Sequence, residues 1–279
     1  MHVEAGSIRR RHMKHLKATV LGSAIAVAMM ASGSALATTI VKDNIQFNTG
    51  AVFQSAQLYE TLVSPSSPTL SGYGMINSIN GNTGYCAGAN AFGCQLTFTF
   101  TGYTDTSLST TKAVFSGGTI TFYAFDKRIF DPSDPTTAAP MGASVFLTTQ
   151  GHTFENANGD TGTLIATTSF PGSFLSNQFQ GNGNGLLDVT GGDAASYFDS
   201  NTFKDNLNEF ADIQFISDFS PNTCEGTSAP SPYVVCGSGT AKSVAAVAVP
   251  EPNALGMMGL GLAGLGLLLT WRRKGKKAA

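Results

Sequence analysis

The chain has 279 residues, of which 12% are charged and 42% hydrophobic, and its formal net charge is −2. Ample apolar residues argue against intrinsic disorder, and 32 Gly and 11 Pro are too few for a collagen-like chain. The charges are segregated, because five of the 16 basic residues precede an N-terminal apolar run and five follow a C-terminal one. Between Thr38 and Ala248, six basic residues stand against 16 acidic ones, a net charge of −10 that argues against nucleic-acid binding.

Residues 1–37 are predicted to be a secretory signal peptide. A basic stretch precedes the apolar run Ala18–Ala31, and the small residues that follow end in Ala35–Ala37, which favours cleavage before Thr38. Met13 makes a more ordinary start for such a peptide. A buried amphipathic helix is the alternative interpretation. We therefore expect export by the Sec machinery and cleavage by signal peptidase.

Residues 38–248 are predicted to form one exported all-β domain without an internal repeat. Polar Thr alternates with apolar residues in Gln95–Thr101 and Thr119–Phe125, which is typical of antiparallel strands with one face in solvent. About eight to ten strands favour an antiparallel β-sandwich or jelly-roll. Helical turns are expected only within Asp193–Asn208. Further strands are predicted at Thr39–Phe47, Ala143–Thr149, Thr161–Thr168, Ala211–Ser217 and Ser243–Val249.

Glycine-rich and Asn-Gly segments separate the predicted strands. These residues adopt the positive φ angles that tight turns require. Turns are therefore predicted at Gly117-Gly118, Asn158–Asp160, Asn182–Gly185 and Gly191-Gly192.

All four cysteines lie in the exported domain, and an even number in an oxidising compartment indicates disulfides. Three pairings are possible. We favour the local pairs Cys86–Cys94 and Cys224–Cys236, which enclose seven and eleven residues. A four-cysteine zinc site is typical of closer CxxC pairs and is not expected.

Candidate catalytic residues are scarce in the exported domain. Its one histidine, His152, is interpreted as a solvated loop residue and not as a general base, because no GxSxG nucleophile elbow accompanies it. A single histidine also argues against a multi-histidine zinc or copper site.

Carboxylates are more numerous, and paired acids suit glycoside hydrolysis while loop acids suit calcium. No carboxylate stands in an obviously apolar context, so no catalytic residue is assigned. Asn156, Asn158 and Asp160 mimic the opening of an EF-hand loop, but Thr161 and Thr167 replace its Gly and Glu. No cofactor is expected, and structural calcium elsewhere is the alternative to solvated turns. The other acids considered are Asp126, Asp131, Asp134, Asp188, Asp193, Asp199, Asp205, Glu209, Asp212 and Asp218.

Residues 249–279 have three parts. Val249, Pro250, Glu251 and Pro252 lead into residues 254–271, an uncharged run that would span ~27 Å of bilayer at ~1.5 Å per residue. Its glycines suit either helix packing or the approach of a membrane enzyme to the backbone. A transmembrane helix is therefore predicted, with the basic cluster behind it on the cytoplasmic side. That cluster is Arg272, Arg273, Lys274, Lys276 and Lys277.

The order of Pro-Glu-Pro, apolar span and basic cluster resembles the PEP-CTERM sorting signal of Gram-negative bacteria. The resemblance implies that an exosortase, a membrane cysteine peptidase, cleaves near Val249–Pro252 and releases the protein from the inner membrane to the surface or matrix. Because such bacteria make extracellular polysaccharide, we expect a structural or adhesive protein of the exopolysaccharide or biofilm matrix, not an enzyme. The alternatives are a permanent membrane anchor for the tail and a carbohydrate-binding or carbohydrate-active domain that uses loop carboxylates.

A second resemblance concerns the segment from Gln214 to Asp218. Its sequence QFISD is similar to the QFxxD signature of one subgroup of PEP-CTERM proteins. The resemblance implies no known catalytic activity. From the residues themselves, we expect Phe215 to pack in the core and Asp218 to lie in a turn at the end of a strand.

Overall fold

The computed structural model of the chain describes residues 39–48, 50–87, 93–174, 178–220 and 230–244. The predicted signal peptide and the predicted helix at residues 254–271 lie outside these ranges. Among the described residues, no helix has the length and apolar character needed to cross a bilayer.

Antiparallel strands make up most of the described residues, which confirms the all-β prediction. Two short helical segments accompany them, a 3₁₀ turn at Pro135–Ala138 and α1 at Ala195–Phe198. The helix α1 lies within the predicted Asp193–Asn208 segment, whereas the 3₁₀ turn was not expected. The strands are β1 (Thr39–Lys42), β2 (Ile45–Asn48), β3 (Val52–Thr61), β4 (Thr69–Met75), β5 (Ser78–Ile79), β6 (Gln95–Leu108), β7 (Lys112–Phe125), β8 (Ser144–His152), β9 (Phe154–Glu155), β10 (Thr161–Gly162), β11 (Leu164–Ser173), β12 (Gln178–Gly191), β13 (Phe203–Lys204), β14 (Phe210–Ala211), β15 (Ile213–Ser220) and β16 (Tyr233–Ser243).

Ten of these strands form one sheet that closes on itself. Its order is β11-β12-β15-β16-β3-β4-β6-β7-β8, with β5 beside β3. Closure follows because β11 also pairs with β7 and β8 also pairs with β12. Residues 112–115 of β7 pair with β11, and residues 119–124 of β7 pair with β8. Strands β11 and β8 therefore pair with successive parts of the same strand, β7. The facing walls enclose the core in a sandwich-like arrangement.

The predicted strand Thr39–Phe47 is in fact a hairpin. It turns at Asp43 and Asn44, whose φ angles are 48° and 63°. Positive φ at both central residues is typical of a tight hairpin turn that matches the strand twist. Polar and apolar residues alternate in β2 but not in β1, and no Gly or Pro marks the turn between them, which explains why a single strand was predicted here.

The predicted turn at Asn182–Gly185 is wrong, because these residues lie inside β12. The glycines provide space in this strand and do not bend it. A Cβ at Gly181 would lie 2.7 Å from the Phe219 ring, and one at Gly183 would lie 2.6 Å from the hydroxyl of Ser217. The side chains of β15 therefore pack directly on the backbone of β12.

The pair Gly117-Gly118 also lies inside a strand, β7, and not in a hairpin turn. Gly118 has φ +95°, and a Cβ there would lie 2.4 Å from the Tyr103 ring. The missing side chain leaves room for that ring.

Aromatic side chains from several elements meet in the interior. Phe47, Phe53, Phe146 and Phe198 are buried, and their ring centroids lie 5.1–6.4 Å apart. Such edge-to-face and tilted pairs contribute ~1 kcal/mol each beyond the burial of their area. The short helix α1 is thus held in place by Phe198, which it contributes to this group.

A disulfide joins Cys86 to Cys94, the local pairing that the spacing favours. Both cysteines are buried, and Cys86 pairs with Ile45 of β2 through an isolated bridge. Cys236 in β16 is also disulfide-bonded, whereas Cys224 lies outside the described residues.

Replacing both Cys86 and Cys94 by serine should lower the free energy of unfolding by about 2–3 kcal/mol, because the unfolded chain loses the constraint on a short loop. Urea denaturation of the variant and of the oxidised wild type measures the difference. Equal midpoints for the two proteins would contradict a stabilising role for this disulfide.

Candidate functional site

Two neighbouring strands bring His152 and Asp188 together. In the β8–β12 pairing Leu186 lies directly opposite His152, so Asp188 lies diagonally across from it on the same face. The imidazole Nδ1 is 2.8 Å from Oδ2 of Asp188. The prediction of a solvated loop histidine is therefore wrong, since His152 ends β8 and only 11% of its side chain is exposed.

The segment between β12 and β15 adds two carboxylates, Asp205 and Glu209, at the turn of the β13–β14 hairpin. The hairpin lies over the same face because Phe203 packs against the apolar cluster that contains Leu186. The amide of Asp205 donates to the carbonyl of Glu209 (3.1 Å), and the amide of Glu209 donates to Oδ1 of Asp205 (2.8 Å). These two bonds close the turn and leave Oδ2 of Asp205 outside it.

The three side chains converge on one point. Nε2 of His152 lies 3.8 Å from Oδ2 of Asp205 and 3.8 Å from Oε2 of Glu209. The side chain of Asp205 is 1% exposed, whereas that of Glu209 is 64% exposed. Across the described part of the chain, neither Nε2 of His152 nor Oδ2 of Asp205 finds a hydrogen-bond partner.

Asp188 determines the tautomer of the imidazole. An ionised carboxylate only accepts hydrogen bonds, so Nδ1 of His152 carries a hydrogen and donates it to Asp188. In the neutral ring, Nε2 then presents its lone pair toward Asp205 and Glu209. The cluster thus combines a nitrogen lone pair with two carboxylate oxygens, all of which are ligand atoms for a cation.

Asp212, one of the acids noted in the sequence, has a structural role next to this cluster. Its carboxylate is buried and accepts from the amides of Val189 (2.7 Å), Ser200 (2.7 Å) and Asn201 (2.6 Å). These bonds tie the loop after α1 to β12. Both carboxylate oxygens of Asp212 are therefore used as acceptors for backbone amides.

The acids near the 3₁₀ turn close local turns. Asp134 caps the turn by accepting from the amide (3.0 Å) and hydroxyl (2.7 Å) of Thr136. Asp131 accepts from the hydroxyl (2.7 Å) and amide (2.8 Å) of Ser133, and these bonds lower the pKa of Asp131. The remaining acids considered in the sequence, Asp126, Asp193 and Asp199, are exposed.

The segment that mimics an EF-hand opening is a turn closed by its own side chains, as predicted at Asn158–Asp160. The side-chain oxygen of Asn156 accepts from the amides of Asn158 and Asp160, each at 2.9 Å. Asp160 pairs with Lys112, and that hydrogen bond lowers the pKa of Asp160. The carboxylate is thus neutralised by a lysine.

The QFxxD residues lie within β15. Phe215 is partly buried against the core, as expected. Asp218 is not in a terminal turn, because it lies inside the strand directly opposite Asn182, whose side-chain amide donates to its carboxylate. Gln214 lies opposite Lys242 of β16. Asp218 therefore contributes a cross-strand pair on the outer face.

The closed sheet also surrounds an apolar cavity of about 60 Å³. Eight of the 23 residues that line it are phenylalanines, and Glu60 of β3 contributes a carboxyl. Burial raises the pKa of Glu60 to about 8. At neutral pH the group is therefore mostly protonated, and an apolar context of this kind was not recognised in the sequence.

Comparison with known families locates a second functional element at the C-terminus. Residues 248–274 match the family described as the PEP-CTERM protein-sorting motif. The match spans Val249–Pro252, the apolar run and the first three residues of the basic cluster, and it confirms the predicted PEP-CTERM sorting motif. No curated protein and no solved structure matches the chain. Membership of the QFxxD subgroup stays a prediction, and the tail itself lies outside the described residues.

Proposed function

We propose that this chain, which carries a PEP-CTERM sorting motif at residues 248–274, is a structural or adhesive protein of the cell surface or extracellular matrix. The motif marks a protein that is exported, processed by an exosortase and sorted to the surface, and this single observation carries the proposal. The predicted signal peptide at the other end supplies the matching export signal.

The character of the exported domain supports a place in a hydrated extracellular layer. Its net charge of −10 and its polar, Thr-rich strand faces favour solubility at high concentration. Strand β16 ends at Ser243, close to the start of the motif at residue 248, so the folded part leads directly into the sorting signal. Exopolysaccharide is the partner that we propose for this surface.

We also propose that the domain has no enzymatic activity. The side chain of Asp205 is only 1% exposed, so a sugar ring does not reach both Asp205 and Glu209 for glycoside hydrolysis. Asp212 binds backbone amides and Asp160 binds Lys112. These contacts leave each of the two carboxylates with a structural partner instead of a substrate.

The intact mass of the mature protein, measured separately in membrane and extracellular fractions, tests the processing. We expect an extracellular species that begins at Thr38 and lacks the residues beyond about Pro252. Glu251→Ala should shift the protein to the membrane fraction as the unprocessed form, because it removes the charged centre of the motif. Asp126→Ala, which removes an exposed acid of the folded domain, is the matched control and should be processed normally.

A full-length C-terminus found only in membranes would identify residues 254–271 as a permanent anchor and contradict the processing.

The matrix role is tested by deleting the gene and measuring cell aggregation and binding of purified exopolysaccharide. Unchanged aggregation and no polysaccharide binding would contradict that role.

A further inference from the structure

We propose that His152, Asp205 and Glu209 bind one divalent zinc ion that holds the β13–β14 hairpin against the wall of the closed sheet. The ligand atoms are Nε2 of His152, Oδ2 of Asp205 and Oε2 of Glu209. The ion would link strand β8 to a segment more than fifty residues further along the chain. The assignment is independent of the sorting motif and of the matrix role.

The distances between the ligand atoms suit an ion of this size. Nε2 lies 3.8 Å from each of the two carboxylate oxygens. Ligands bound to zinc at ~2.0–2.2 Å in tetrahedral geometry lie about 3.4 Å apart. The two distances from Nε2 exceed this by a few tenths of an ångström, and all three ligand atoms lie within 4.8 Å of one another, so small side-chain movements would complete the site. The exposed Glu209 has that freedom, and its side leaves a fourth position for water.

An unpartnered buried carboxylate oxygen points independently to a cation. Only 1% of the side chain of Asp205 is exposed, and its Oδ2 has no hydrogen-bond partner among the described residues. A buried carboxylate oxygen without a partner is unfavourable, because its lost hydration is not replaced by a hydrogen bond. If Nε2 of His152 carried a hydrogen, that hydrogen would also lack an acceptor, since both nearby oxygens are 3.8 Å away. An ion between the atoms satisfies all of them.

Among the described residues, no lysine or arginine forms an ion pair with the carboxylates of the cluster, although Lys204 lies in the same hairpin with its Nζ 5.9 Å from the centre of the Phe210 ring. Three carboxylates, those of Asp188, Asp205 and Glu209, surround one imidazole. In the described ranges, the lysine ion pairs are those of Lys42 with Asp43 and of Lys112 with Asp160, and neither reaches the cluster. A divalent cation would balance this excess of negative charge.

The arrangement around His152 favours zinc over calcium. Calcium prefers oxygen ligands, whereas a neutral imidazole nitrogen with two carboxylates suits zinc. Oδ2 of Asp188 lies 2.8 Å from Nδ1 of His152 and accepts its hydrogen. A second carboxylate usually orients a metal-binding histidine in this way. Asp188 is thus a positioning residue for the proposed ligand.

Isothermal titration calorimetry with zinc chloride, together with metal analysis of the dialysed protein, tests the site. The full chain is purified without a histidine tag, in a background where the N-terminal His2, His12 and His15 are changed to glutamine. We expect one zinc ion per chain. Glu209→Gln and Asp205→Asn should each weaken binding by about tenfold or more. Asp126→Asn, at the opposite end of the sheet wall, is the charge-matched control and should bind like the wild type.

Glu209→Gln changes an exposed side chain and keeps both backbone bonds of the turn, so lost binding in this variant reports the ligand and not unfolding. Absence of stoichiometric zinc binding in the wild type would overturn the proposal. Binding that both variants retain would place zinc elsewhere and equally overturn it. Tighter binding of calcium chloride than of zinc chloride would refute the choice of metal.

Discussion

Glu60→Gln is expected to raise the free energy of unfolding by about 4 kcal/mol at pH 7.5 and by only about 1 kcal/mol at pH 5. Burial raises the pKa of Glu60 from 4.5 to about 8, so the folded chain keeps a proton that the unfolded chain releases. The free energy of unfolding is therefore highest below pH 4.5. It falls with rising pH, by ~1.4 kcal/mol per pH unit, until the pH reaches the pKa of Glu60 in the folded chain. The neutral amide removes this dependence.

Urea denaturation between pH 4.5 and pH 8 measures the effect. Glu155→Gln removes the same kind of carboxyl from β9, outside the interior, and controls for the loss of one charge. Parallel pH profiles for wild type and Glu60→Gln would show that the buried carboxyl does not govern the pH dependence.

Asp212→Ala is expected to lower the free energy of unfolding by about 3 kcal/mol or more, because three backbone amides lose their acceptor. Asp212→Asn keeps one oxygen but turns a donor toward these amides, so an intermediate loss is expected. Chemical denaturation at neutral pH measures both variants. Asp199→Ala, an exposed acid from the same loop, should change stability by less than about 0.5 kcal/mol.

The loop that Asp212 anchors leads to the hairpin with Asp205 and Glu209. Asp212→Ala should therefore also weaken zinc binding, although Asp212 is not a ligand. A stability equal to that of Asp199→Ala would contradict the anchoring role of the carboxylate.

Strand alternation could be predicted well where one face meets solvent and the other the core. In β7, Ile120, Phe122 and Ala124 are buried and the residues between them are not, as the Thr-rich pattern indicates. The rule fails in β12, whose glycines resemble turn residues. Glycine is needed there because Phe219 and Ser217 of the next strand pack against the backbone, where a larger side chain would clash. That contact depends on the strand register, which the sequence alone does not give.

The candidate site was harder to predict than the fold. His152 and Asp188 lie 36 positions apart and meet only because β8 pairs with β12 in one particular register. Asp205 and Glu209 were among the acids noted, but nothing in their spacing selected them from the rest. Phe203 and Phe210 could have indicated this hairpin, because they are apolar residues on both sides of a polar loop. Phe203 packs against the apolar cluster that contains Leu186. Glu60 was missed because its interior position depends on β3, which was not among the predicted strands.

The pairing of β3 with β16 determines when folding can finish. Phe53 pairs with Ala241, 188 positions later, so the sheet cannot close until nearly the whole domain is available. Until then, β3 and β15 each expose an unpaired edge that other chains can join. Strand β16 ends just before the sorting motif and therefore emerges last during export. The interval between translocation of β15 and of β16 is thus when the protein is most open to misassembly.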